Sequence, residues 1–130
     1  MKKLLCILLI LTLSLGLASA AMAEKIVMIG QQLGNVVFLP AEVGMRDAGA
    51  ELGIDVEWQS PLRAEAELQN EIMLSLIDRG DVDGIAISAT TGDALKDAID
   101  AAIDAGIKVI SYDVDSPNSK REYYVGTENY

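Results

Sequence analysis

The sequence has no histidine, and its single cysteine, Cys6, sits among the first 23 of 130 residues. With no imidazole and no thiol beyond that segment, Ser–His–Asp and Cys–His catalysis are excluded, as are disulfides and zinc sites built from nitrogen and sulfur ligands. A hard-cation site made of carboxylates stays open. Aromatic residues are scarce, with one Phe, one Trp and four Tyr. Basic residues are outnumbered, 10 Lys and Arg against 20 Asp and Glu, for a net charge of −10. A surface that tracks phosphates needs clustered Lys and Arg, so nucleic acid is excluded as a partner. There is no low-complexity stretch and no interdomain linker. The length suits one domain or less.

What is present begins with a leader. Lys2-Lys3 forms a basic start, Leu4 to Leu17 is apolar, and Ala18-Ser19-Ala20-Ala21-Met22-Ala23 places small residues before a cut. This pattern predicts a secretory signal peptide over residues 1–23, cleaved after Ala23. The apolar run is shorter than the ~20 residues of a spanning helix, and Cys6 stands at the beginning of the run rather than after it, which argues against a lipoprotein. Cleavage leaves 8 basic and 20 acidic residues. The mature protein is expected in a periplasm.

From residue 24 onward, hydrophobic periodicity alternates between two kinds. Lys25–Gly30, Ile54–Trp58, Val82–Ser88, Ile107–Tyr112 and Tyr123–Thr127 read as strands. Between them, Phe38–Leu52, Arg63–Arg79 and a segment after Thr90 read as helices. Their inward faces are expected to be Ala41, Met45, Ala48 and Leu52; then Leu68, Ile72, Met73, Leu76 and Ile77; then Leu95, Ala98, Ile99, Ala102 and Ile103. Thr90 and Asp93 have capping-box spacing. Gly53, Gly80 and Gly106 recur at nearly equal intervals as helix stops. Three βα units and a fourth strand predict an α/β fold, a Rossmann-like parallel sheet flanked by helices. Ile107–Tyr112 has the composition of a strand covered on both faces. Thr127 to Tyr130 looks like the start of a further helix.

Ligands of open α/β sheets bind outside the carboxyl ends of the strands, so the residues there are the candidate site. Gln31, Gln32 and Asn35 follow strand one and carry paired donors and acceptors, suited to neutral hydroxylated ligands. Phe38 either offers a ring face to a sugar or packs beneath the first helix. Ser88 and Thr90 follow strand three, as helix caps or as part of the same edge. Asp113 and Asp115 follow strand four. Their carboxylates can accept strong, charge-assisted bonds from hydroxyls, or they can cap and brace their own loop. Gly30 and Gly34 do not have dinucleotide-binding spacing, and strand two ends in Trp58-Gln59 rather than in a ribose-binding acid. A phosphoacceptor domain would need acids where Gln31-Gln32 stands. Asp113-Val114-Asp115-Ser116-Pro117-Asn118 falls out of step with a calcium loop. Two acids also suggest a secreted carbohydrate-active enzyme using Asp113 and Asp115, but residues two apart on one loop fit poorly on opposite faces of a glycosidic bond.

Several segments, in this order and spacing, resemble the periplasmic sugar-binding proteins of bacterial ABC importers, the ribose-binding-protein-like (type I) group. They are Lys25–Gly30 with Asn35-Val36-Val37-Phe38, Gly44–Gly53, Asp83–Ser88, Ala105–Asp113 and Tyr124–Tyr130. Trp58-Gln59-Ser60-Pro61-Leu62 looks like the branch with rhamnose-type and furanose-signal binders. The resemblance implies that residues 24–130 are an N-terminal sugar-binding lobe, incomplete, with the second lobe of a two-lobed hinge protein absent. It implies a non-enzymatic receptor without a cofactor. The implied partners are a sugar or polyol, an ABC permease of the inner membrane and, as a further candidate, a chemoreceptor. Gln31, Asn35, Phe38, Asp113 and Asp115 are the expected ligand contacts. Where the family often has Asn-Pro-Phe-Phe, this chain keeps only Asn35 and Phe38, and Val114 stands in place of the arginine that often follows the sugar-binding aspartate. Both departures point to a ligand other than ribose. A LacI-type repressor shares the fold but begins with a helix-turn-helix, where this chain has its leader. A truncated, non-binding remnant is the remaining alternative.

Overall fold

The computed structural model describes residues 24–127. The leader, with its cleavage site, and the helix expected to start near Thr127 lie outside the described residues. Five strands form one sheet: β1 (Lys25–Ile29), β2 (Asp55–Gln59), β3 (Gly84–Ile87), β4 (Lys108–Tyr112) and β5 (Tyr123–Val125). Three α-helices alternate with them: α1 (Leu39–Leu52), α2 (Ala66–Arg79) and α3 (Lys96–Asp104). Short 3₁₀ turns, Val36–Phe38 and Asp93–Leu95, lead into α1 and α3. The order is β2-β1-β3-β4-β5, and every neighbouring pair is parallel. This is the α/β parallel sheet that the periodicity predicts. Register is flush at one end: Ile29 lies beside Gln59 and Ile87, and Ile87 beside Ser111. The residues just after these strands therefore share one edge.

Side chains alternate across the sheet. Val27, Ile29, Ile85, Ile87 and Val109 point to one face, where they pack with Met73 and Leu76 of α2 and with Ile99 and Ala102 of α3. These are large apolar side chains with little or no exposure. Truncating one to alanine costs about 2–5 kcal/mol. The other face carries Met28, Trp58, Ala86, Ile110 and Tyr112, and packs with Phe38 and with Ala41 of α1. Here α1 comes close to β2. A Cβ on Gly49 would lie 2.7 Å from a Val56 methyl, so only glycine allows this approach.

The helix stops hold as expected. Gly53 (φ 69°), Gly80 (φ 65°) and Gly106 (φ 92°) take the left-handed conformation. Several finer expectations do not hold. In α1 the buried position is Gly49, while Ala48 is exposed and Leu52 is 68% exposed, because the helix meets the sheet along a line through Ala41, Met45 and Gly49. In α2 the fully buried line is Gln69, Met73 and Leu76, while Leu68 is only half-buried. α2 starts at Ala66 rather than Arg63, whose guanidinium pairs with Glu65 ahead of the first turn. The Thr90–Asp93 capping box does not form. Thr90 bonds to Gln69 instead, and the Asp93 carboxylate accepts from Asn118 Nδ2. β4 is not covered on both faces among the described residues. Ile110 is half-buried and, with Ile26, Gly84, Ala86 and Lys108, borders a shallow depression of about 140 Å³.

Charge pairs tie the opposite, amino end of the sheet. Arg79 Nη1 and Nη2 donate to Glu57 at 3.2 and 3.1 Å, and Lys25 Nζ lies 3.2 Å from the same carboxylate. The arginine's bonds first, then a bond from Gln59 Nε2, with a smaller share from Lys25, hold the Glu57 carboxyl down to about 2 from its usual 4.5. A group depressed on folding stabilises the fold fully above its unfolded value, and that contribution is lost as pH falls through the folded one. The window is therefore about pH 4.5 down to about 2. Glu57→Gln is expected to flatten the loss of stability across it, read as urea midpoints at pH 5 and pH 2.5. Parallel wild-type and variant profiles would show that Glu57 does not contribute.

Candidate functional site

Three strand tips meet in one line of hydrogen bonds. Gln31, after β1, donates from Nε2 to Ser88 Oγ at 3.2 Å and to the Ala89 carbonyl at 3.1 Å. Ser88, after β3, donates in turn from Oγ to Asp113 Oδ2 at 3.0 Å. Asp113, after β4, is exposed. Its Oδ1 has no protein donor among the described residues, so that oxygen faces outward with its lone pairs free. The Asp113 backbone is left-handed, with φ 58°, the one positive φ of a non-glycine residue among those described. That conformation costs about 1–2 kcal/mol. It is held by Asp113 N donating to Val125 O at 3.0 Å and by the Tyr124 hydroxyl donating to Asp113 O at 2.8 Å. The fixed turn places an exposed carboxylate at the sheet edge, on the same hydrogen-bonded line as the Gln31 amide.

The loop after β1 completes this edge. Asn35 accepts from Val37 N through Oδ1 at 3.1 Å and so caps the first 3₁₀ turn, while its Nδ2 is not used in that bond. Phe38 is only 6% exposed. Its ring lies edge-on to Tyr112, with centroids 6.3 Å apart, and tilted against Trp58 at 6.4 Å. Of its two expected uses, the ring shows core packing. Val36 and Val37 just before it are more than 70% exposed. The Tyr112 hydroxyl donates to Ile29 O, and burial, followed by the nearby Asp113 charge, raises its pKa. It remains a neutral structural donor at neutral pH. A small hollow of about 120 Å³ lies against Asn35, Phe38 and Trp58. A larger depression, about 390 Å³, lies between the end of β2 and α2, and none of the expected site residues lines it.

Asp115 shows its bracing use. It is half-buried and its carboxylate is taken by protein donors: Arg121 Nη2 at 2.7 Å, Ser116 N at 2.7 Å, Arg121 Nε and the Ser111 hydroxyl. Arg121 first, with smaller help from Ser111 and Ser116, holds its carboxyl below the usual carboxylate range. Among the described residues, no group of three or more His, Cys, Asp or Glu is arranged to hold a metal.

Two contributors carry no obvious sequence mark. Gln69 is fully buried in α2. Its Nε2 donates to Gly30 O at 3.1 Å and to Ser88 O at 2.9 Å, and its Oε1 accepts from Thr90 N at 2.8 Å and Thr90 Oγ1 at 2.7 Å. One amide thus locks the ends of β1 and β3 together. Its spacing, four before Met73 and seven before Leu76, is the signal that marks it as inward-facing. Arg121 lies in a charged turn whose partner no local pattern identifies.

A parallel α/β lobe with polar groups converging on its strand ends is the arrangement in which open α/β sheets place their ligand sites. Residues 26–130 match the family described as periplasmic binding protein domain, and the chain belongs to that family. It is similar to the xylose/arabinose-binding protein XylF of Sulfolobus acidocaldarius, at 28% identity over 76% of this chain and 24% of that one. Among solved structures it resembles a solute-binding protein of an ABC transporter from Burkholderia graminis, determined with D-arabinose. That match has 33% identity and a TM-score of 0.80, over 84% of this chain and 37% of that one. It also resembles XylFII in its complex with LytSN, at 30% identity and a TM-score of 0.77, over 82% of this chain and 39% of that one. The type I architecture implied by the motifs is thus shown. The chain spans about a quarter of the curated relative and under two-fifths of these structures.

Proposed function

We propose that the full-length protein carrying this chain is an exported receptor that captures a sugar or sugar-like polyol and hands it to an ABC permease, without catalysis. The observation that carries this reading is the Gln31–Ser88–Asp113 line, which presents an exposed carboxylate beside an amide whose Oε1 is left unused at the strand ends. Carboxylate and amide groups side by side match vicinal hydroxyls, which both donate and accept. Asp113, Gln31 and Asn35 would bond hydroxyls, Gln31 by accepting through Oε1 and Asn35 by donating through Nδ2. Phe38 would form the apolar floor, and Asp115 would serve the site from behind. The opposite wall of the cleft would come from a second lobe. Names of similar proteins support a pentose: xylose and arabinose for one, D-arabinose for another. The XylFII–LytSN complex supports a protein partner besides the permease. Residues 1–23 would direct export, with cleavage after Ala23.

The enzymatic reading is disfavoured by charge. An acid–base pair needs two carboxyls within reach of substrate, and the Asp115 carboxylate is taken up by Arg121, Ser111 and Ser116 N, a pairing that holds it below the usual carboxylate range. Titration calorimetry of the full-length protein with D-xylose, L- and D-arabinose, D-ribose and D-galactose is expected to show saturable binding of one sugar, recovered unchanged. No heat with any sugar or polyol would overturn the proposal.

A further inference from the structure

We propose that Arg121 is a positioning residue for the ligand contact Asp113, acting through the carboxylate of Asp115. This rests on the reading of Asp113 as a sugar contact.

Asp113 stands at the start of a ten-residue loop between β4 and β5, in a left-handed conformation that its surroundings must sustain. The next three residues are each pinned. Val114 O accepts from Ala89 N at 3.2 Å. Asp115 gathers Ser111, Ser116 N and both arms of Arg121. Ser116, fully buried, donates from Oγ to Gly92 O. The loop sits so close to Gly92 that a Cβ there would overlap Asp115 O. Asp115 is the node of this set, and Arg121 supplies its only countercharge among the described residues.

Removing the guanidinium leaves a half-buried carboxylate without its pair, a costly state that the loop escapes by turning Asp115 to water. That turn releases Ser111 and Ser116 N together. Residue 113, two positions away, then keeps only its bonds to Val125 O and the Tyr124 hydroxyl to hold its left-handed turn, and its carboxylate is set less firmly on Ser88. The role calls for arginine rather than lysine. Two N–H groups in a fixed fork hold both carboxylate oxygens at once, so the Asp115 plane and the loop's path are set together.

The test uses the full-length protein with arabinose and xylose as probes. Arg121→Gln is expected to weaken sugar binding roughly tenfold, Arg121→Lys by less, and Asp115→Asn to match Arg121→Gln. The double variant Asp115→Asn/Arg121→Gln is expected to be no worse than either single one, because the pair acts as a unit. Amide hydrogen exchange across 111–118 is expected to speed up in Arg121→Gln while the sheet stays protected. A lowered melting temperature with an unchanged Kd would overturn the proposal and leave a plain structural brace. So would unchanged exchange in the loop. If the wild type binds no sugar or polyol, the functional reading fails by itself. The exchange result then decides alone whether Arg121 holds the Asp113 turn.

Discussion

Asp113→Asn is expected to lower sugar affinity about 5- to 10-fold, because a charge-assisted bond of about 1.5–3 kcal/mol becomes a neutral one of about 0.5–1.5 kcal/mol. Asparagine is the informative substitution. It keeps the size, and its short amide tolerates the left-handed conformation that residue 113 adopts at φ 58°. Asp113→Ala removes the acceptor and also places a strained backbone where none of the side chain's bonds repay it. It should cost more in binding, about 10- to 100-fold, and about 1 kcal/mol more in stability than asparagine. Calorimetric Kd values for both variants, set beside their thermal midpoints, separate the two contributions. An Asp113→Asn variant that binds within threefold of wild type would remove Asp113 from the ligand contacts and, with it, the main support for the proposed function.

Gln69→Leu is expected to be the most damaging single change to the lobe that leaves its apolar core intact, at about 3 kcal/mol or more. Leucine fits the volume. It leaves Gly30 O, Ser88 O and Thr90 N short of the partners they have now, and each buried group so stranded costs about 1–3 kcal/mol. The loss is also local in a way that matters for function, because Gly30 and Ser88 carry the two strand tips from which Gln31 and Ser88 reach Asp113. Equilibrium urea unfolding of the full-length protein measures the first effect, and sugar titration well below the transition measures the second. Unfolding free energies within 0.5 kcal/mol of wild type would mean that water replaces the amide without cost and that the clamp is not structural.

Much of the architecture is legible in the chain. Strand and helix periods differ, glycines end the helices, and alternating βα units allow little besides a parallel sheet. The helix stops at Gly53, Gly80 and Gly106 needed no tertiary information, because only local backbone geometry is involved. The faces of the helices were less legible. Leu52 and Leu68 have the right spacing and the right chemistry to be inward, yet burial depends on where a neighbouring element lies, and α1 and α2 each cover the sheet along one narrow line. Gln69 shows the reverse error. A polar residue on a buried line looks misplaced until the carbonyls it serves, 39 and 19 positions away in sequence, are brought next to it.

The same division runs through the candidate site. Residue type and position at the strand ends are written locally, and they mark Gln31, Asn35 and Asp113 by the general rule for open α/β sheets. Whether each carboxylate is free or taken is not written locally. Asp113 and Asp115 are chemically identical and two residues apart. One keeps an open oxygen because its only side-chain donor among the described residues is Ser88, 25 positions upstream. The other is closed by Arg121, which a parallel β5 carries back to its side. A sequence can specify that an acid stands at the edge of a sheet. Only the packed chain sets its distance to a cation, and charge pairing depends on that distance.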